Sequence, residues 1–160
     1  MKTRLASRAP AGVWSKFEVP ARTHARRPGE AKAMTGEMTA VVQRMFDALD
    51  KGDMQDGLAT LASDALGIDE ISRKWMRTPN EVRDYVEQLM QMTEDVHSEM
   101  HDVHEIAWDD TGVVTFWLEQ DYTLRSERAH ISAPTTVVLR REEGAWKIAL
   151  FHSIPLPPES

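Results

Sequence analysis

The last long apolar stretch of the chain, residues 134–153, restricts the possible fold most strongly. Two runs rich in β-branched and aromatic residues lie on either side of a polar turn at residues 142–145, which contains Gly144. This pattern is typical of a β-hairpin. A hairpin with one apolar face is not stable alone, so other parts of the chain must cover it.

A two-residue loop at 143–144 places Leu139 opposite Ile148 and Thr135 opposite His152. Alternate residues of a strand share a side. One predicted face is therefore largely apolar and carries Thr135, Val137, Leu139, Trp146, Ile148, Leu150 and His152. The other predicted face is mixed and carries Thr136, Val138, Arg140, Lys147, Ala149, Phe151 and Ser153. In this register, His152 ends the apolar face.

The first half of the chain supplies helices that can cover such a face. Apolar residues recur at the spacing of one helix face at Val41, Val42, Met45, Phe46 and Leu49. Gly52 can end this helix, and Asp53 can cap a short second one. The segment Thr78-Pro79-Asn80-Glu81 is typical of a capping box and predicts a third helix that ends near Met92.

Most of the remaining chain has strand patterns. Residues 65–71 predict a short strand with 74–77 as its partner, and residues 97–108 and 113–124 predict two long strands joined by a polar turn. Helices first and antiparallel strands later predict an α+β domain. We expect three helices packed on one face of a strongly curved, mainly antiparallel sheet.

Residues 1–33 differ in composition from the rest. They hold eight basic and two acidic residues, a net charge of +6, which leaves −13 for the remainder because the whole chain carries −7. They lack periodicity, so we expect a disordered basic extension before a compact domain at 34–157. Met34 or Met38 could serve as the start instead of Met1. The acidic domain should repel nucleic acid.

The composition also limits the chemistry. The chain has no cysteine, which excludes disulfides and thiolate catalysis. We find no apolar run long enough to span a membrane and no secretory signal, so we expect a cytoplasmic protein. There is no glycine-rich phosphate loop, and we expect no cofactor.

Two segments carry a resemblance to a known family. The run RREEGAWKIALFHS at 140–153 and the segment FDALDKGD at 46–53 resemble the nuclear-transport-factor-2-like superfamily, in particular its SnoaL-like branch. The resemblance covers about residues 38–155. It implies a cone-shaped half-barrel with one apolar pocket, and a homodimer formed through the open face of the sheet. Such relatives include isomerases, cyclases and dehydratases, but also non-catalytic domains, so fold alone does not decide function.

Large side chains are the candidates for lining that pocket around a small apolar organic ligand. They are Trp75, Tyr85, Trp117, Tyr122 and His152. The alternative is that they simply fill the core. A register slip of one residue would also exchange the faces of the strands that carry Trp117 and Tyr122.

Three ionisable residues are candidates for acid–base chemistry. Burial would keep His152 neutral near pH 7, and an apolar pocket would raise the pKa of Asp69 or Asp121. His152 has a structural alternative, in which it binds a backbone carbonyl. His97, His101 and His104 would share a face only on a helix, and we favour a strand there, so we expect no metal site.

These observations leave two hypotheses. In the first, the domain is a small isomerase, cyclase or lyase that moves a proton on an apolar carbonyl compound. In the second, it is a non-catalytic ligand-binding or homodimerisation domain. The mixed face around Val138, Ala149 and Phe151 would then form the contact between copies.

Overall fold

The computed structural model describes residues 36–157, and the predicted extension at 1–33 lies outside them. The helices and strands, in chain order, are α1 (Glu37–Lys51), α2 (Met54–Ala59), β1 (Leu61–Asp69), α3 (Pro79–Met92), β2 (Thr93–Trp108), β3 (Thr111–Leu124), β4 (Glu127–Glu142) and β5 (Ala145–Ser153). The sheet has the order β1-β5-β4-β3-β2. Only β1 and β5 run parallel; the other pairs are antiparallel. The predicted α+β class, with three helices on a curved and mainly antiparallel sheet, is confirmed.

The ends of the helices follow the predicted capping residues. Gly52 ends α1 in the left-handed region with φ of 69°. Asp53 caps α2 by accepting a hydrogen bond from the amide of Asp56. At the start of α3, Thr78 and Glu81 form a complete capping box. Among the described residues, no helix is long and apolar enough to cross a membrane.

The hydrophobic core lies between the helices and one face of the sheet, which we call the inner face. Alternate residues of β3 and β4 supply most of it: Val114, Phe116, Leu118, Tyr122, Ile131, Val137 and Leu139. From α1, the ring of Phe46 meets that of Phe116 edge to face, with centroids 5.9 Å apart. Packing leaves no room for a side chain at Gly112, where a Cβ atom would overlap the sulfur of Met38.

The opposite face of the sheet, which we call the outer face, has no covering element among the described residues. Four apolar side chains pair in one row across neighbouring strands of this face, and Trp108 and Trp117 lie on the same face outside that row; the four are Ile106, Val113, Val138 and Leu150. Ile106 and Trp108 are both more than half exposed. This face is therefore available for contact with something outside the described part of the chain.

The β4–β5 hairpin departs from the predicted register in its second half. Leu139 lies opposite Ile148 as predicted, but a register shift follows, and His152 pairs with Thr136 instead of Thr135. The cause is one extra residue in β5, a β-bulge, which interrupts the alternation of sides. The predicted register is correct near the turn and wrong beyond Ile148.

This shift exchanges the faces of the last residues of β5. Phe151 lies on the inner face, where its ring meets that of Phe46 with centroids 6.2 Å apart. Ser153 is fully buried and hydrogen-bonds to Thr135 at 2.9 Å. His152 lies on the outer face. The predictions that Phe151 and Ser153 face outwards and that His152 faces the core are thus wrong.

Candidate functional site

Two adjacent cavities lie between α3, the end of β1 and the inner face of the sheet. They measure about 60 and 90 Å³ and share a wall made of Leu49, Asp69, Leu89 and Phe151. The smaller one, which we call the polar cavity, has polar side chains on its wall: Asp69, Glu70, Thr93, Gln120, Tyr122 and Ser153. The larger one, which we call the apolar cavity, has Tyr85 and Asp69 as its polar groups.

A short hydrogen bond connects the two cavities. The hydroxyl of Tyr85 donates to Oδ2 of Asp69 at 2.5 Å, a length typical of a hydroxyl bound to a charged carboxylate. The turn after β1 holds Asp69 in place, because its Oδ1 accepts from the amide of Ser72 at 2.7 Å. Burial, and then the charge of Asp69, raise the pKa of Tyr85. Tyr85 therefore stays protonated and keeps this bond.

Glu70 is the residue with the most unusual acid–base behaviour in the polar cavity. Burial raises its pKa to about 7, and the neighbouring charge of Asp69 adds to the effect. A carboxyl group with such a pKa can both take up and release a proton near neutral pH. Glu70 is not among the candidates predicted from the sequence. Its one signal there is its position next to Asp69 at the predicted end of a strand.

Tyr122 faces the same cavity from β3 and is 7% exposed. Burial is the main cause of its raised pKa, and the charges of Glu70 and Asp69 contribute. Its hydroxyl has no hydrogen-bond partner among the side chains and backbone groups of the described chain. It is therefore free to donate a hydrogen bond to a molecule in the polar cavity.

The structure brings together three of the residues selected from the sequence, Asp69, Tyr85 and Tyr122, and separates them from the others. His152 lies on the outer face and stacks on Trp75, with ring centroids 6.1 Å apart.

Trp117 and Asp121 also lie on the outer face. Trp117 is 38% exposed, and Asp121 accepts a hydrogen bond from His130 at 2.9 Å. Neither contributes to the wall of the cavities, and neither do His152 and Trp75.

The three histidines of β2 lie on a strand, as predicted. His97 and His101 each contact the carboxylate of Glu99 at 3.2 Å, and His104 contacts Asp102 at the same distance. All three rings are exposed. Within the described part of the chain, no group of three or more His, Asp or Glu side chains is arranged to hold a metal ion.

The model of the SnoaL-like domain family matches residues 38–157, which is most of the chain. The chain belongs to this family. The resemblance noted from the sequence is thereby confirmed for the SnoaL-like domain and its nuclear-transport-factor-2-like fold. No protein with a curated description matches this SnoaL-like domain.

Solved structures of the same fold come from several bacteria. A candidate dehydratase of the NTF2-like family from Streptomyces avermitilis is 17% identical, with a TM-score of 0.70 over 76% of this chain and 95% of that one. A ketosteroid isomerase-like protein from Erwinia carotovora atroseptica is 16% identical, with a TM-score of 0.67 over 81% and 100%.

A third similar structure is a candidate calcium/calmodulin-dependent protein kinase II association domain from Xanthomonas campestris. It is 19% identical, with a TM-score of 0.69 over 84% of this SnoaL-like chain and 95% of that one. At these identities the likeness concerns the fold alone.

Proposed function

We propose that this SnoaL-like domain binds a small carbonyl compound in its two cavities and moves a proton at the carbon next to the carbonyl group. One observation carries the proposal: Glu70, with a pKa of about 7, lies on the wall of the same cavity as the unpaired hydroxyl of Tyr122. A base beside a hydrogen-bond donor is the arrangement that proton abstraction from a carbonyl compound requires.

Each of the two groups has a definite task in this reaction. The carboxylate of Glu70 takes the proton as the C–H bond breaks, and the electron pair moves to the carbonyl oxygen. Tyr122 donates a hydrogen bond to that oxygen as it becomes negative. Return of the proton to the same or another carbon completes an exchange or an isomerisation. Burial, and to a smaller extent the charge of Asp69, keep the proton affinity of Glu70 high.

The size of the cavities limits the ligand. A dry cavity of about 150 Å³ in another protein takes up benzene. The two cavities here, of about 60 and 90 Å³, share a wall and together are close to that scale. We therefore expect a short-chain or single-ring compound. The wall of the apolar cavity would hold its hydrocarbon part.

Two of the similar structures agree with this class of reaction. The Streptomyces protein is described as a candidate dehydratase and the Erwinia protein as ketosteroid isomerase-like. Dehydration and ketone isomerisation both include the loss of a proton from carbon. They support the proposal but do not identify the ligand of this chain.

The test is deuterium uptake by butanone and cyclopentanone in D₂O, followed by NMR against a protein-free control. We expect the wild-type domain to accelerate uptake next to the carbonyl. Glu70→Gln should reduce the acceleration at least about a hundredfold, and Tyr122→Phe about tenfold or more. Because the base must be ionised, the rate should rise as the pH passes through about 7.

Asp121→Asn is the matched control, since Asp121 is a carboxylate of the outer face. It should exchange as fast as the wild type. Undiminished exchange by Glu70→Gln, or loss of exchange in the Asp121 variant, would contradict the proposed site.

A second function is favoured by the outer face: we propose that it forms a homodimer. Ile106 and Trp108 are 57% and 58% exposed and lie two residues apart on β2, and Ile106 pairs with Val113 of β3 in the apolar row of this face. Trp117, which is 38% exposed, lies further along β3. A cluster of exposed apolar groups such as that of Ile106, Trp108 and Val113 marks an interaction surface. Phe151, which the sequence analysis placed in this contact, belongs to the core instead.

Size-exclusion chromatography with light scattering tests the dimer. Trp108→Glu should convert it to a monomer without lowering the stability of the fold, and Met54→Glu serves as the control because Met54 is an exposed residue of α2. A wild-type protein that remains monomeric at about 100 μM would contradict this proposal.

A further inference from the structure

A chain of hydrogen bonds runs from the end of α1 to the wall of the polar cavity. Ser98 donates twice to Asp50, from its amide at 3.0 Å and from its hydroxyl at 2.8 Å. The side-chain amide of Gln120 then donates to the hydroxyl oxygen of Ser98 at 2.8 Å. Gln120 itself lines the polar cavity. These hydrogen bonds therefore connect the partly buried carboxylate of Asp50 to a side chain on the wall of the polar cavity.

This series of hydrogen bonds determines which way the amide of Gln120 points. A serine hydroxyl has one proton, and here the carboxylate of Asp50 accepts it. The oxygen of Ser98 can then only accept, so the nitrogen of Gln120 must face it. The carbonyl oxygen of Gln120 points away and has no partner among the described residues. Every fully buried side-chain polar atom there has a partner, so this oxygen must reach open space.

The position of Asp50 indicates that it serves to position its neighbours. It lies in the last turn of α1, where the helix dipole disfavours a negative charge. Its two bonds to Ser98 offset this cost, and they hold β2 next to the register shift between Glu94 and His97. The hydroxyl of Ser98 is buried, so water competes poorly for these bonds.

We propose that Gln120 determines the specificity of the polar cavity by accepting a hydrogen bond from a hydroxyl group of the ligand. Tyr122 and Gln120 are two residues apart on the same face of β3, so their backbones are roughly 7 Å apart. Tyr122 would donate to the carbonyl oxygen of the ligand, and Gln120 would accept from its hydroxyl. The ligand class is thus a small hydroxylated carbonyl compound. This inference rests on the proposed function.

The test compares ligands that differ by one group. Hydroxyacetone and butanone have the same shape, as do 4-hydroxybutan-2-one and pentan-2-one, and only the first of each pair can donate a hydrogen bond. Their affinities are measured by NMR titration for the wild type and for Gln120→Met, which keeps the length of the side chain. We expect Gln120→Met to reduce the affinity ratio, hydroxyketone over ketone, about tenfold in at least one pair.

Two further variants make the result specific. Gln43→Met places the same change on α1, where Gln43 contacts Asp47 at the surface, and it should leave the ratio unchanged. Ser98→Ala frees the amide of Gln120 to turn over and should reduce the ratio while the affinity for butanone stays within about twofold. That split identifies Ser98 as a positioning residue, because a general loss of structure would weaken both ligands.

The outcomes separate this inference from the function on which it rests. If the ketones bind and exchange deuterium but Gln120→Met leaves the ratio unchanged for both pairs, the specificity role is wrong and the proposed function stands. If neither ketone nor hydroxyketone binds the wild type at millimolar concentration, the proposed function and this inference both fail.

Discussion

The two faces of the sheet are built from the same strands and yet have different chemistry. Neighbouring residues of β3 show the difference: Leu118 on the inner face is 2% exposed, whereas Trp117 on the outer face is 38% exposed. The inner face excludes water and surrounds its few polar groups with apolar side chains. The outer face leaves its charged groups hydrated.

The position of an ionisable group, more than its type, decides what it can do in this fold. Inside, burial brings the pKa of Glu70 to about 7. Outside, His130 lies between Asp121 at 2.9 Å and Glu119 at 3.0 Å, and all of its partners are in contact with solvent. Both sites contain carboxylates beside a second titratable group. The inner one adjoins the two cavities described above.

The largest expected effect comes from truncating one residue on each face of β3. Leu118→Ala removes buried atoms and leaves a hole in the core, so we expect a loss of about 3 kcal/mol in the free energy of unfolding. Trp117→Ala should cost less than about 1 kcal/mol. Urea unfolding in the Trp108→Glu background measures both, since that substitution removes the contribution of the proposed dimer. Equal losses would contradict the assignment of the two faces.

The next effect is the pH dependence that Glu70 gives to stability. Its folded-state pKa of about 7 lies above its ordinary value of 4.5, so the folded state holds the proton more tightly. Stability should therefore fall as the pH rises from about 4.5 to 7. The contribution of this group amounts to roughly 2–3 kcal/mol.

Urea unfolding at pH 5 and pH 8 isolates this contribution by comparing variants. The glutamine of Glu70→Gln cannot titrate. The stability that this variant loses between pH 5 and pH 8 should therefore be smaller than the loss of the wild type by roughly 2–3 kcal/mol. Glu119→Gln, on the outer face, should keep the wild-type difference. If both variants behave like the wild type, Glu70 is not buried in the way described.

A smaller effect is expected from the hydrogen bond between Tyr85 and Asp69. Tyr85→Phe leaves Oδ2 of Asp69 without its donor and should cost about 1–2 kcal/mol. Ser132→Ala removes a bond of similar length to Glu119, 2.6 Å, and a bond from the indole of Trp117 on the outer face, and it should cost less than about 0.5 kcal/mol because water replaces both. Thermal unfolding of the two variants measures the difference. A larger loss for Ser132→Ala would contradict the comparison.

Much of the fold was predictable from local patterns. Capping residues and helical spacing predicted the ends of α1 and α3, and the turn at 143–144 predicted the start of the β4–β5 hairpin. These features depend on neighbours in the sequence. The bulge in β5 does not depend on neighbours in the sequence. It depends on how β5 packs against β4 and the core, and no residue near Ala149 indicates it. Because of that single extra residue, His152 lies on the face opposite to the predicted one.

The site was predictable only in part for a related reason. Tyr85 and Asp69 were selected as large or acidic residues close to a predicted strand or helix, and the fold brings them together. Whether Tyr122 and Trp117 face inwards depends on the register of β3, which the sequence left open. Glu70 becomes unusual only through burial, and burial depends on how the turn after β1 packs in three dimensions.

The smallest effect concerns His130 on the outer face, and it tests whether the two faces act independently. The hydrogen bond to Asp121 and the charge of that carboxylate, and then the nearby charge of Glu119, raise the pKa of His130 above its ordinary value of 6.5. Any stability gained from its charge is therefore present below about pH 6.5 and lost as the pH rises through the folded-state pKa. Because the pair is exposed, that gain should be close to the limit of measurement.

The titration of the ring itself is the sharper observable. In an NMR titration, Asp121→Asn should lower the pKa of His130 towards 6.5, while Glu70→Gln should leave it unchanged because Glu70 lies on the other side of the sheet. In turn, Asp121→Asn should not alter deuterium exchange in the cavity. A shift of the His130 titration in the Glu70 variant would mean that the sheet transmits charge between its faces, and the separation argued from the packing would then fail.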